Sequence, residues 1–182
     1  MKKWETLSSK IDYTNPYFKV IKDQAKNSSQ ELDYYYLERN NFGITIGIID
    51  DCFVMVNQYR YPVKTESLEF PMGGSNPGES LEDCARREMA EESGFMPQKL
   101  TFLGQAAPTP GHSKQLFSVY LAEDLEKTDI HQQDETEELE VKMVKVKDFD
   151  KLVREGRISD GPTLAAYAFY LIHLKEKSAG NN

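Results

Sequence analysis

Glu88 and Glu92 stand four residues apart in a stretch where Leu81, Cys84, Ala85 and Met89 recur at helical spacing. On a helix, positions four apart project from one face on successive turns. Two carboxylates held in that way repel each other as a bare pair. The arrangement makes chemical sense when a divalent cation sits between them, and hard oxygen donors suit Mg²⁺, with Mn²⁺ as a substitute. Arg87 and Glu91 are also four apart, one position round the helix, and can pair to fix the orientation of the neighbouring carboxylates. A solvated helix face carries scattered acids too, so the pair alone decides nothing. The residues before it add weight: positions 73–78 hold three glycines and a proline, and Glu79 closes this loop just ahead of the helix.

Other elements must position that loop and helix. Residues 42–61 read as a hairpin, with apolar runs on either side of Asp50-Asp51. Residues 67–72 form a short strand that feeds the glycine loop. The helix begins near Ser80 and Gly94 closes it. Strands are expected around 100–106 and 115–121, then a very acidic loop at 129–138, a strand at 140–146, a short helix at 148–155 and a longer amphipathic helix at 163–175. Residues 5–40 read as two or three short Tyr-rich strands, broken at Asn15-Pro16 and Asn27-Ser28-Ser29. Strands and helices mixed without a βαβ rhythm indicate an α+β fold. The expected organisation is an N-terminal antiparallel β lobe at 1–40, a catalytic domain at 41–178 and a flexible tail at 179–182.

The 182 residues are 39% hydrophobic and 29% charged, enough for a real core. A formal net charge of −8 weighs against duplex nucleic acid as a partner, because such binding needs Lys and Arg on the phosphates. A small phosphate ester remains possible where metal ions mask the local carboxylates. Cys52 and Cys84 make neither a disulfide framework nor a zinc site and are expected as buried packing residues. Trp4 is expected to pack against the sheet, and His112, His131 and His173 to lie at the surface. The N-terminus has no apolar run of the signal-peptide kind, and no stretch approaches the roughly 18 apolar residues of a membrane span. A cytoplasmic location without membrane contact is expected.

Residues 73–95 resemble the Nudix box: Gly, five residues, Glu, seven residues, then Arg-Glu-apolar-x-Glu-Glu-x-Gly-apolar. Gly73, Glu79, Arg87, Glu88, Glu91, Glu92 and Gly94 fill all seven fixed positions, with Met89 and Phe95 in the apolar places. Chance matches at seven fixed offsets have a probability on the order of 10⁻⁸ per register. The resemblance implies a mixed β-sheet sandwiched between helices, with the box as a loop–helix–loop. It also implies in-line attack of water on a pyrophosphate, with Mg²⁺ neutralising charge. By the family pattern Glu88 and Glu92 are metal ligands, and Glu91 is a further ligand or a catalytic group. The carbonyl of Met72 is a candidate ligand, and Glu79 orients the helix face or binds metal through water.

The flanks resemble the branch of this superfamily that hydrolyses ADP-ribose and other nucleoside diphosphate sugars. Gln58-Tyr59-Arg60 and Leu68-Glu69-Phe70-Pro71-Met72-Gly73 look like its Gln-x-Arg strand and its Glu-x-Pro-Ala-Gly entry to the box, with Met72 where Ala is usual. Pro110, sixteen positions after Gly94, stands where this branch carries a proline. Asp134-Glu135-Thr136-Glu137 resembles its acidic loop, which supplies a glutamate that deprotonates the attacking water; Glu135 and Glu137 are both candidates. Gly156, Ile158, Asp160 and Thr163 match its final loop and helix. Arg60 is a candidate phosphate ligand, or a surface arginine at a strand end. Glu69 is a salt-bridge partner or a secondary ligand. Tyr17 or Phe18 is a candidate for stacking on the base, core packing being the alternative. The resemblance further implies a homodimer built through the N-terminal lobe. Two other readings stay open: hydrolysis of GDP-mannose or another nucleotide sugar, and a non-catalytic nucleotide sensor on the same fold.

Overall fold

The computed structural model describes residues 3–130 and 138–180. They form two compact units, residues 1–41 with 107–116, and residues 42–106 with 117–182.

The first unit is a three-stranded antiparallel sheet in the order β1-β2-β3, from Glu5–Thr14, Lys19–Lys26 and Glu31–Glu38. Its turns are where Asn and Pro cluster: Asn15 Oδ1 accepts the amides of Tyr17 and Phe18, and Asn27 Oδ1 those of Ser29 and Gln30. Every residue of β1 is exposed. Trp4, expected to pack on a sheet, is 46% exposed. Residues 107–116 belong to this unit although they sit far along the chain. Leu37 and Ser113 form a parallel bridge, Leu37 N donates to the His112 carbonyl at 2.8 Å, and Lys114 pairs with Glu38.

The second unit is a seven-stranded mixed sheet. Its strands are β4 (Phe42–Ile49), β5 (Cys52–Arg60), β6 (Thr65–Glu69), β7 (Met72–Gly74), β8 (Phe95–Ala106), β9 (Phe117–Lys127) and β10 (Leu139–Lys145). The path is β10-β5-β4-β9-β8, with β6 on β5 and β7 on β4; among the described residues only β4 and β9 run parallel. Asp50 and Asp51 both take positive φ, 48° and 61°, as a tight turn between right-twisted strands requires.

Helices cover both faces. On one, α1 (Leu81–Ser93) packs against Gly43 and Gly47, where an added Cβ would lie 2.8 Å from Ala85 and 2.6 Å from Met89. On the other, Ile44, Ile46, Phe53 and Met55 form the main core with Phe149, Ile158, Ala166 and Tyr170, supplied by α2 (Phe149–Arg154), α3 (Gly161–Gly180) and their connection. Alternate residues of β4 and β5 therefore serve opposite layers, as a pleated strand dictates. This is the α+β sandwich expected.

Strand β8 begins at Phe95, five residues earlier than its apolar pattern indicates. Pro97 lies in the added stretch, but among the described residues β8 pairs only with β9, and an edge strand tolerates a missing amide. Helix α3 continues through Gly180, beyond the expected tail boundary. Cys84 is buried, whereas Cys52 is only half-buried. His173 is half-buried too, with its Nε2 enclosed and unpartnered. No helix among the described residues is long and apolar enough to cross a membrane.

Candidate active site

Local signals place the acidic helix. Ser80 caps α1, its side chain accepting the Asp83 amide at 3.1 Å. Gly94 ends the helix in the left-handed conformation, φ 71°, and its amide returns to the Ala90 carbonyl. Two contacts then fasten the helix to the strands: Thr45 Oγ1 donates to the Ala85 carbonyl at 2.8 Å, and Cys84 Sγ to the Gly73 carbonyl at 3.1 Å. Burial pushes the Cys84 thiol up to about 11, so it serves here as a neutral donor.

Gly73 allows the closest approach. A Cβ there would lie 2.2 Å from the Glu88 carboxyl carbon, so any larger residue would push that carboxylate out of its place against strand β7. One residue earlier, the Met72 amide donates to Glu92 Oε2 at 3.0 Å. The two glutamates singled out by spacing thus both face the turn where β7 enters the loop.

Arg87 organises the remaining acids. Its Nε and Nη2 bond Glu79 at 2.8 and 3.0 Å, its Nη1 bonds Glu88 at 2.7 Å and Glu91 at 2.8 Å, and Nη2 also reaches the Gly74 carbonyl. The Arg87–Glu91 pair expected from spacing is present; the reach to Glu79 and Glu88 was not anticipated. The bond to Arg87 holds the Glu79 carboxyl below the ordinary glutamate value, and bonds to Glu79, Glu91 and Glu88 push the Arg87 guanidinium up.

All the donors gathered here are hard oxygens, with three carboxyl groups around a single guanidinium and a fourth, Glu92, on the Met72 amide, so the residues fit a divalent cation in charge and chemistry. Among the described residues no three acids converge as a ready ligand set. The carboxylates centre on Arg87 instead.

Arg60 and Glu69 lie on the same sheet face as α1. Glu69 is in register with Val56, two residues on from Val54, which neighbours Gly47 and Met89 under the helix. Arg60 grips Glu69 with two hydrogen bonds, Nε to Oε1 at 3.0 Å and Nη2 to Oε2 at 2.5 Å. Glu69 is therefore a salt-bridge partner in this structure, and only the guanidinium donors turned away from it are left for a phosphate. Burial holds the Glu69 carboxyl above its ordinary range despite the arginine, and the bond to Glu69 raises Arg60. Asp160 and Glu92 contribute to the field at Arg60. Asp160 accepts the Thr163 amide at 2.7 Å at the start of α3, and the Thr163 hydroxyl takes the Phe70 amide. Asp160 and Thr163, matched above only as family positions, thus start α3, and Asp160-Gly161-Pro162-Thr163 carries the acid and proline of a helix-start signal.

In the first unit, Tyr17 is 80% exposed while Phe18 packs against Tyr13 at 6.2 Å between ring centroids. Of the two stacking candidates, Tyr17 has the free ring. Pro110 and His112 are exposed in the turn whose Thr109 carbonyl accepts the amides of His112 and Ser113. Glu135, Glu137 and His131 lie outside the described residues.

The NUDIX domain model matches residues 37–167. An ADP-ribose pyrophosphatase of Bacillus subtilis (strain 168) is 37% identical over 127 residues, 68% of this chain; the match spans 66% of that relative, just under two thirds of its length. A GDP-mannose pyrophosphatase of Yersinia pestis (strain Pestoides F) is 29% identical over 182 residues, covering 93% of this chain and 90% of the relative. A crystal structure of an ADP compounds hydrolase superposes with a TM-score of 0.84 at 23% identity, covering 96% of both chains, a likeness of fold. With the box complete and its helix set on the mixed sheet, the chain belongs to the NUDIX domain family.

Proposed function

We infer that this protein hydrolyses the pyrophosphate of a nucleoside diphosphate linked to a sugar, with ADP-ribose the leading substrate and AMP and ribose 5-phosphate the products. The observation that carries this reading is the gathering of Glu79, Glu88 and Glu91 around Arg87, with Glu92 on the Met72 amide, all beside the Gly73 turn. Glu88, Glu92 and Glu91, with the Met72 carbonyl, would hold Mg²⁺ or Mn²⁺; Glu79, fixed by Arg87, sets the helix face. When bound, the cation neutralises charge on the pyrophosphate and in the transition state. Water attacks one phosphorus, the bridging P–O bond breaks, and a carboxylate of the acidic loop, Glu135 or Glu137, takes the water's proton. Arg60, oriented by Glu69, meets a phosphate oxygen with its remaining donors, and Tyr17 offers the ring for a base.

The likeness of nearly the whole chain to a GDP-mannose pyrophosphatase favours a second reading, in which the guanine nucleotide sugar is the substrate. We further propose a homodimer joined through the N-terminal lobe. Strand β1 is unpaired on one edge among the described residues, and it exposes Leu7 (46%), Ile11 (55%) and Tyr13 (55%). We propose a cytoplasmic location, in keeping with such a substrate.

The deciding experiment incubates the protein with Mg²⁺ and a panel of nucleotide sugars and identifies the products by chromatography. AMP and ribose 5-phosphate from ADP-ribose, at the highest kcat/KM of the panel, are expected. Release of no nucleoside monophosphate from any member would refute the reading.

A further inference from the structure

Strand β4 meets α1 through Gly43, Thr45 and Gly47, alternate residues on one face. The two glycines leave no room for a side chain beneath Ala85 and Met89. Thr45, between them, is fully buried. Its hydroxyl donates to the Ala85 carbonyl at 2.8 Å, and its backbone amide donates to the Pro71 carbonyl at 3.0 Å. One residue thus ties the strand under the helix to the helix above it and to the chain entering β7.

Cys84 makes the complementary tie from the helix. It is fully buried as well, and its Sγ donates to the Gly73 carbonyl at 3.1 Å. Four consecutive residues are therefore each held by a different partner: Pro71 by the Thr45 amide, Met72 by Glu92, Gly73 by Cys84 and Gly74 by Arg87. Arg87 and Glu92 belong to the charge cluster. Thr45 and Cys84 do not, and an apolar side chain would fill either place without a polar atom to satisfy. Their donors add precision of distance: a hydrogen bond fixes its heavy atoms closely and in direction, whereas apolar contact is non-directional.

That precision bears on the cation. Mg²⁺ demands a near-ideal octahedron with oxygens at about 2.0–2.1 Å, whereas Ca²⁺ accepts flexible geometry at about 2.3–2.6 Å. The oxygens inferred above to hold the ion come from two elements, Glu88 and Glu92 from α1 and the Met72 carbonyl from β7. The spacing of those elements sets the size of the site.

We propose that Thr45 and Cys84 are positioning residues for the cation: together they hold α1 and the Met72–Gly73 turn at the separation that Mg²⁺ requires, while taking no part in its coordination. The proposal rests on the ligand set inferred above.

Electron paramagnetic resonance of free Mn²⁺ with the full chain, with Mg²⁺ or Ca²⁺ displacing the bound ion, tests this. Cys84→Ala and Thr45→Val should each weaken Mg²⁺ binding by about threefold to tenfold, the scale of one net hydrogen bond, and Ca²⁺ binding by less than about twofold. Cys84→Ser and Thr45→Ser keep a donor and should bind Mg²⁺ like the wild type. Melting curves set a temperature at which each variant is folded, and should one apolar variant unfold, the other carries the test. Mg²⁺ affinity unchanged in the apolar variants would overturn the proposal and leave the ligand set standing. So would equal loss of Mg²⁺ and Ca²⁺, which a generally loosened fold gives, or no recovery in the conservative variants. A wild type that binds none of the three ions would overturn the proposal and the ligand set together.

Discussion

Arg60 and Glu69 face each other through a two-pronged contact in which the exposures are unequal: Glu69 is 1% exposed, the Arg60 side chain 40%. The acid has given up its water and depends on the arginine, while the arginine retains solvent on its outer edge. An acid buried this way costs stability unless it is paired, and the pairing also fixes the guanidinium in place.

Arg60→Ala should therefore destabilise the fold by about 2–4 kcal/mol at pH 8, somewhat below the range for a fully buried pair because the arginine is half wet. Burial already holds Glu69 above its ordinary range, and losing Arg60 raises it further. A raised carboxyl costs stability as pH climbs through and above the unfolded value, so the defect should shrink as pH falls to 5 and Glu69 takes up a proton. Urea denaturation of wild type and variant at the two pH values measures this; an equal defect at both would show that Glu69 carries no uncompensated charge.

Hydrolysis should require Mg²⁺ or Mn²⁺ and cease in excess EDTA. Glu92→Gln should lower kcat by about tenfold or more, because one charge is lost from the cation-holding set. The glutamine carbonyl can still accept from the Met72 amide, so the melting temperature of the metal-free protein should hold or rise. A variant retaining most of the wild-type rate would remove Glu92 from the ligand set.

Glu79 gives the opposite pH signature to Glu69. Its carboxyl is held below the ordinary value of about 4.5 by Arg87, so its contribution is fully present above that value and is lost as pH falls through the depressed one. Glu79→Gln should be less stable than wild type at pH 7, with the gap closing towards pH 3. Parallel urea curves with a constant offset across that window would contradict this.

In the acidic loop, Glu135→Gln and Glu137→Gln should separate. The base should lose kcat by roughly a hundredfold or more with little change in KM, and the acid limb of its pH–rate profile should vanish. The other variant should fall less than about tenfold. Steady-state kinetics on both decides; near wild-type kcat in each would remove the base from this loop.

Light scattering at micromolar concentration should give the mass of a dimer. Replacing Leu7 and Ile11 by Asp on the exposed strand β1 should shift it to monomer, since two charges would then lie in the joined surface. A wild-type monomer with full activity would rule the dimer out.

Much of this was readable in the chain itself, where the cause is local. Ser80 and Gly94 bracket α1 because capping depends on neighbours, and Asp50-Asp51 makes its turn for the same reason. What escaped depends on tertiary contact. Nothing in the order of residues says that Arg87 reaches back to Glu79, because that bond forms only when the loop before the helix folds back onto it. Strand β8 starts at Phe95 rather than near residue 100, and Pro97 fits there because this strand lies at an edge. His173 falls among charged and apolar neighbours that read as surface, yet its ring is partly enclosed. Glu69 admitted two roles, and its pairing with Arg60 rests on a register between β5 and β6 that spacing does not announce.

The first unit is assembled from two stretches of chain, with 107–116 joined to β3 by a single bridge. During synthesis from the N-terminus, β3 must wait some seventy residues for the Leu37–Ser113 bridge and the Lys114–Glu38 pair. By then the box helix has left the ribosome. The lobe therefore finishes folding late, and it cannot be removed by trimming the N-terminus alone: a fragment starting at residue 42 would still carry 107–116, stripped of the strand that holds it.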